Sequence, residues 1–259
     1  MSTVIPKIVA LASNTFREGV RDRLFVAVVI FGAAILASSF IIAPLSLGEQ
    51  ERITQDMGLA AISVLSFLIA VLIGTGIVYK EIERRTIYTV IAKPVSRWQF
   101  IIGKFAGLTA TVSLLMAMMT VLLVVVSWVA AGSFHPHILT AVFLTWMELL
   151  LLTALSVMMS TLSSPILGAI FTLLLYLIGH TSADLKQLAS RFGSGSVKVV
   201  VGAIYYTLPN LEYLNVRSKV IHDVPIDFHY VAFASSYALL YTMAFLIIAV
   251  LVFERREFK

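Results

Sequence analysis

The 259-residue chain contains no cysteine, so neither a disulfide framework nor a thiolate metal site can form. Charge is scarce as well: Asp, Glu, Lys and Arg supply 13% of the residues, where soluble domains carry about 25%. No phosphate-binding loop of the form G-x-x-x-x-G-K-[ST] is present; Gly74-Thr75-Gly76 lacks the following Gly-Lys pair, and Gly103-Lys104 is followed by Phe105. No G-x-S-x-G hydrolase pattern, internal repeat or low-complexity segment occurs either. What the chain has in abundance is apolar residues, at 59%, or about 64% with its 14 glycines. A soluble domain sits near about 45–50% on that count, and its outer layer needs polar side chains this composition does not supply. An ordinary soluble globule, a disordered chain and a fibrous repeat are thereby excluded. An all-α polytopic membrane protein remains.

A helix needs about 20 apolar residues to cross the hydrocarbon core. Uncharged runs cover residues 24–48, 57–79, 105–147, 149–183 and 230–253. The third is long enough for two crossings, with its break at Gly132, Ser133 and Pro136; the fourth breaks at Ser163-Ser164-Pro165. The pattern predicts six spans near 24–45, 58–79, 105–131, 139–162, 166–181 and 232–253, the fifth being short. The charges Lys7, Arg17, Glu18, Arg21, Asp22 and Arg23 precede the first long apolar run, so the N-terminus reads as retained rather than as a secretory signal.

Six spans place both termini on one side, and basic residues decide which. Residues 1–23, 80–104 and 254–259 hold 13 of the 19 Lys and Arg. Both termini are therefore expected in the cytoplasm, in a plasma (inner) membrane. Grouped by side, the net charge of +5 divides into +7 on cytoplasmic segments, −1 on external ones and −1 from Glu148 within a span. The basic balance thus records orientation and is not a nucleic-acid footprint.

Two further segments have a pattern. Residues 197–208 are apolar but too short to cross, a length typical of re-entrant or interfacial pieces, and residues 184–192 before them suit a short amphipathic helix. In residues 5–20, Ile8, Leu11, Ala12, Thr15, Phe16 and Gly19 share one helical face, as in a helix lying in the cytoplasmic interface. One membrane domain, 1–259, accounts for the whole chain.

The densest polar stretch joins spans two and three. Its first part reads as a helix with i, i+4 pairs Glu81/Arg85 and Lys80/Arg84. Pro94 ends that helix, since the residue before a proline is pushed out of helical geometry. Ser96 can cap the next helix, which runs into span three. On physics alone, this elbow is either a charged docking projection or a solvated loop obeying the positive-inside rule. The runs E-I-E-R-R-T-I, A-K-P-V-S-R and G-K-F-A-G resemble the membrane subunits of ABC type-2 exporters. The resemblance extends over the whole chain and includes the amphipathic N-terminal helix, the six-span layout, the Leu208-Pro209-Asn210-Leu211 segment and the C-terminal Arg255-Arg256-Glu257-Phe258.

That resemblance implies a permease subunit of an ATP-driven exporter, paired with a second permease copy and docked on a separate ATPase. It assigns coupling to Glu81, Glu83, Arg84, Arg85, Pro94 and Arg97. The partner ATPase would bind ATP and Mg, since this chain has no phosphate loop; no cofactor is expected in the chain itself and no enzyme activity.

Glu148 is the one formally charged residue well inside a predicted span, and an acidic group there is costly. It either lines a translocation path or carries a proton, or it ties two helices together as a hydrogen-bonded group. His135 and His137 could offer two imidazoles to a borderline metal, with methionine thioethers nearby, or they are ordinary loop histidines. Trp98, Trp128 and several tyrosines fall near predicted interfaces, where anchoring explains them; Trp146 is deeper and packs. Two other classes compete with the exporter. An ion- or proton-coupled secondary transporter would work through Glu148, but the inverted repeats or matched broken helices of that class are not evident. An intramembrane enzyme needs several intramembrane ionisable groups, and this chain offers one.

Overall fold

The computed structural model describes residues 4–42, 50–83, 96–131, 136–192 and 195–255. Regular structure among the described residues is entirely helical. In chain order the helices are α1 (Val4–Arg21), α2 (Arg23–Ile42), α3 (Gln50–Gly74), α4 (Tyr79–Glu83), α5 (Arg97–Ala131), α6 (His137–Leu162), α7 (Pro165–Phe192), α8 (Gly195–Thr207), α9 (Arg217–Ile221) and α10 (Phe228–Arg255), with a 3-10 turn at Leu211–Tyr213 before α9. Among the described residues, five stretches are long and apolar enough to cross a membrane: Gln50–Glu81, Arg97–Val129, His137–Leu162, Pro165–Ser182 and Phe228–Arg255. Arg23–Ser39 is apolar too, but shorter. The protein is an integral membrane protein.

Helix α6 is the centre of the bundle and packs against α10, α3, α5 and α7. Its sequence is apolar on every face, as a helix surrounded by protein requires. Of the crossing windows, 67% of α6 and 72% of α3 are buried inside the protein, against 22% for α7 and for α10. The first two therefore form the interior, and the last two turn most of their surface outward.

Two helix limits differ from the sequence expectation, and a third follows it. Helix α3 starts at Gln50 rather than near 58, so Glu51, Arg52 and Asp56 lie on its first two turns instead of in a loop. Helix α5 starts at Arg97, directly after Ser96 as that residue's place as a cap implies, and runs on into the third span, which places Lys104 within it. Helix α7 runs for 28 residues to Phe192. Its membrane-crossing stretch, Pro165–Ser182, stays close to the expected 166–181, and residues 184–192 continue the same helix instead of forming a separate one. At the start of α3, a charged helix end looks like a loop when hydropathy alone sets the boundary.

The N-terminal helix uses the face its spacing predicts. Thr15 and Gly19 are buried, Ile8, Leu11, Ala12 and Phe16 half-buried, and residues 9, 10, 13, 14, 17 and 18 exposed. That face lies on α5. The contact depends on the G-x-x-x-G spacing of Gly103 and Gly107, which lets two helix backbones approach closely. A Cβ on Gly103 would lie 2.6 Å from Leu11 Cβ, and one on Gly107 2.5 Å from the Ala12 carbonyl oxygen. The G-K-F-A-G run is therefore the seat of α1.

Candidate functional site

Two polar constellations occupy opposite ends of the bundle. The first surrounds the helical break between α3 and α4. Gly74-Thr75-Gly76 stops α3, and Thr75 Oγ1 turns back to donate to the Val71 carbonyl at 2.8 Å. A break within apolar surroundings leaves backbone N–H groups that need acceptors. Ser160 Oγ of α6 supplies one to both Val78 N, at 3.0 Å, and Tyr79 N, at 3.1 Å.

Helix α5 ties this end together. Ser96 precedes its first turn, and the Ser96 backbone N–H donates to Gln99 Oε1 at 3.1 Å. That is the return limb of a capping box. Arg97 Nη1 donates to the carbonyls of Phe253, at 3.1 Å, and Glu254, at 2.7 Å, at the end of α10. A guanidinium there satisfies terminal carbonyls and suits the negative end of the helix dipole. Phe100 stacks on Phe253 with ring centroids 5.5 Å apart. One turn on, Lys104 is buried at 2% exposure and forms an ion pair with Glu81 of α4.

The expected coupling residues thus divide. Glu81 and Arg97 hold α4 and α10 to α5. Glu83 is exposed at the end of α4. Arg84, Arg85 and Pro94 lie outside the described residues, as does the C-terminal Arg256-Glu257-Phe258. Lys104 and Ser160 were not anticipated. The signal for Lys104 was its place between Gly103 and Gly107, on a face that small residues mark as helix-packed.

The second constellation centres on Glu148. It is 2% exposed, close to the middle of α6 and 12 residues from Ser160 at the α4–α5 end. Its Oε1 lies 3.5 Å from His180 Nε2 of α7, and no hydrogen bond satisfies that oxygen. His180 is held by Tyr176, whose ring tilts against the imidazole at 4.5 Å and stacks on Phe67 of α3 at 4.0 Å. Glu148 faces a cavity of about 110 Å³ that Ser63, Thr145, Tyr176, Asn215 and Arg217 also line.

The segment between α8 and α10 roofs this cavity. Asn210 of the Leu-Pro-Asn-Leu run caps the 3-10 turn, its Oδ1 accepting from Glu212 N at 3.0 Å. The Asn210 backbone N–H donates to Tyr237 of α10 at 2.7 Å. Leu211 is fully buried against Gly179, the neighbour of His180; a Cβ at Gly179 would lie 2.7 Å from Leu211 Cγ. These anchors bring Arg217 to Asp56 of α3, where its Nε donates to Oδ1 at 2.6 Å. Glu212 sits in the same roof. Burial pushes its carboxyl above the ordinary range of about 4.5, and nearby Asp184 adds to the effect.

His137 is exposed at the start of α6, and His135 lies outside the described residues. No group of three or more His, Asp or Glu able to hold a metal ion occurs among the described residues. Trp146 packs as its depth suggested, with Nε1 donating to Ser113 Oγ at 2.8 Å.

A multi-helix membrane bundle with a buried acidic cavity at one end and a tied helical break at the other belongs to the class of membrane transport proteins. The family described as ABC-2 family transporter protein matches residues 9–258, and the chain belongs to it. Proteins of this family are membrane components of ABC transporters and normally work with an ABC ATPase subunit. A comparison with curated proteins gives no match.

Proposed function

We propose that this chain is the permease subunit of an ATP-driven ABC exporter. The family match across residues 9–258 is the observation that carries the assignment. A single membrane domain crosses a plasma (inner) membrane six times, with α2 as the first crossing and both termini in the cytoplasm. Two copies pair about a two-fold axis and enclose the pathway between them. A separate ATPase binds ATP with Mg and docks on the 80–104 elbow, using Glu83, Arg84 and Arg85; Pro94 sets the angle. Glu81 and Arg97 then pass its movement to α5 and α10. The ties at that end support this: α4 cannot move far without α5, and α5 carries α1 and α10. Helix α8 lies in the outer membrane interface, a placement supported by the exposure of Val199, Val200 and Tyr206. Glu148 lines the pathway.

The test is co-purification. A phosphate-loop ATPase encoded beside this gene should co-purify with the chain in mild detergent, in equal numbers of copies, and charge reversal at Arg84 and Arg85 should abolish the complex. Purification of the chain without any ATPase would refute the assignment. Reconstituted transport should also fall for Glu148→Gln at equal expression, and unchanged transport would remove Glu148 from the pathway. The Glu148 cavity favours one second reading, an ion- or proton-coupled transporter, which predicts transport by this chain alone under an ion gradient and without ATP.

A further inference from the structure

Among the described residues, no Lys or Arg pairs with the buried carboxyl of Glu148. His180 is beside it, but its imidazole is charged only when protonated. The guanidinium that also lines the cavity belongs to Arg217, which already pairs with Asp56 at 2.6 Å. A carboxylate taken out of water needs a counter-charge or a proton. Three properties of the surrounding space decide which.

The first is volume. About 110 Å³ is several times what one water requires, where about 10–15 Å³ of such space suffices. It is far below the roughly 300–1,000 Å³ of a drug-sized ligand site. A proton needs no cavity, and a large organic substrate does not fit. The second is the donor set. Ser63, Thr145, Tyr176 and Asn215 bring neutral oxygens to the wall beside the single carboxylate of Glu148. Oxygen donors select hard cations, and one carboxylate among neutral oxygens matches one positive charge, whereas divalent sites gather several carboxylates. The third is access. Asn215 and Arg217 are shared with a second cavity of about 420 Å³, nearer the end of the bundle, whose wall includes Asp56 and Glu212. With Arg217 paired to Asp56, Glu212 leaves this vestibule a net negative charge, which raises the local concentration of cations, and the shared residues place it next to the unsatisfied Glu148 oxygen.

We propose that the Glu148 cavity is a binding site for one small monovalent cation of the alkali or ammonium class, admitted through the vestibule formed by Asp56, Glu212 and Arg217. Glu148 supplies the charge, Thr145 and Ser63 supply neutral oxygens, and the Arg217–Asp56 pair forms the neck. The site stands on this chain alone and does not depend on the docking of an ATPase, so its failure would leave the permease assignment untouched.

Equilibrium binding of ²²Na⁺ and ⁸⁶Rb⁺ to the purified full-length chain in lipid nanodiscs tests it, at neutral pH with choline holding ionic strength constant. The expected result is saturable binding of one ion per chain, displaced by unlabelled Na⁺, K⁺ or NH₄⁺ but not by choline. Glu148→Gln should weaken that binding by ~10-fold or more, since a tenfold loss is a small part of the interaction of a buried charge with its counter-ion. Thr145→Val should weaken it several-fold, and Glu18→Gln on exposed α1 should not change it. Should Glu148→Gln fail to give a monodisperse protein, Glu148→Asp and Thr145→Val carry the test, because the first keeps the charge while drawing it back by one methylene and the second removes an oxygen at nearly constant volume. Absence of choline-resistant binding of both ions, or binding unchanged by these substitutions, would overturn the proposal. Proton uptake without any cation binding would do the same.

Discussion

The pair Lys104–Glu81 gives the sharpest test of how the ties at the α4–α5 end are built, because its two partners are buried to different degrees. Lys104 has a side-chain exposure of 2% and Glu81 one of 22%. Breaking a buried pair by neutralising one partner costs about 3–5 kcal/mol when the remaining charge stays buried, and less when it can reach water. Glu81→Gln strands the ammonium beneath Phe100, whose ring centroid lies 5.6 Å from Nζ, so it should cost about 3 kcal/mol or more. Lys104→Met leaves a carboxylate that is 22% exposed and can rehydrate in part, and should cost less than Glu81→Gln. The double variant, with no stranded charge, should be more stable than Glu81→Gln alone. Thermal unfolding of the purified protein in detergent, read as a double-mutant cycle, measures all three. Equal single-variant losses that simply add, with a coupling below ~0.5 kcal/mol, would refute the argument that burial of Lys104 governs the tie.

Three other outcomes follow from the packing. Gly107→Leu should unseat α1, because even a Cβ there meets the Ala12 carbonyl oxygen at 2.5 Å; overpacking of this kind costs about 1–3 kcal/mol, and faster protease cleavage after Arg17 and Arg21 would report it. Ser160→Ala removes the acceptor of two buried backbone donors, at about 1–3 kcal/mol for each group left unsatisfied; hydrogen exchange at Val78 and Tyr79 should accelerate, while Ser160→Thr retains protection. Glu212 has a folded pKa above 4.5, so the folded state holds its proton where the unfolded chain has released it. Its contribution favours folding at low pH and declines as pH rises from about 4.5 through the raised value. Glu212→Gln should flatten that part of the stability–pH curve and raise the melting temperature at neutral pH; an unchanged slope would show that burial of this carboxyl carries no penalty.

Helical spacing, long uncharged runs and glycine placement made much of the bundle legible in the sequence. The face of α1 was readable because Ile8 through Gly19 repeat at helical intervals, and its partner was readable in principle from Gly103 and Gly107. Glu148 stood out because an acid in a 26-residue apolar helix is expensive. What resisted reading was long-range. Arg217 reaches Asp56 across 161 positions, and Ser160 reaches Val78 across 82; no local pattern announces either contact. The extent of α7 was hidden for another reason. Asp184, Lys186 and Arg191 make residues 184–191 read as a separate amphipathic helix, yet a helix that leaves the membrane can keep its own hydrogen bonds in water and simply continue.

The Leu-Pro-Asn-Leu run links these two kinds of information. As a sequence it marks only a turn. In the fold, Asn210 closes the 3-10 turn and binds Tyr237, and Leu211 fills the space left by Gly179. Those two anchors fix the chain direction just before Asn215 and Arg217, and so place the roof over Glu148. Helix α6 then carries both constellations: Ser160 lies 12 positions beyond Glu148, about 18 Å along the axis. Helix α3 touches α6 at both levels, through Ser63 beside Glu148 and through the α3–α4 break held by Ser160. Movement of α4 must therefore either break the two hydrogen bonds to Ser160 or displace α3 and α6 together. In the second case the walls of the Glu148 cavity move with them, because a close-packed interior transmits displacement rather than absorbing it.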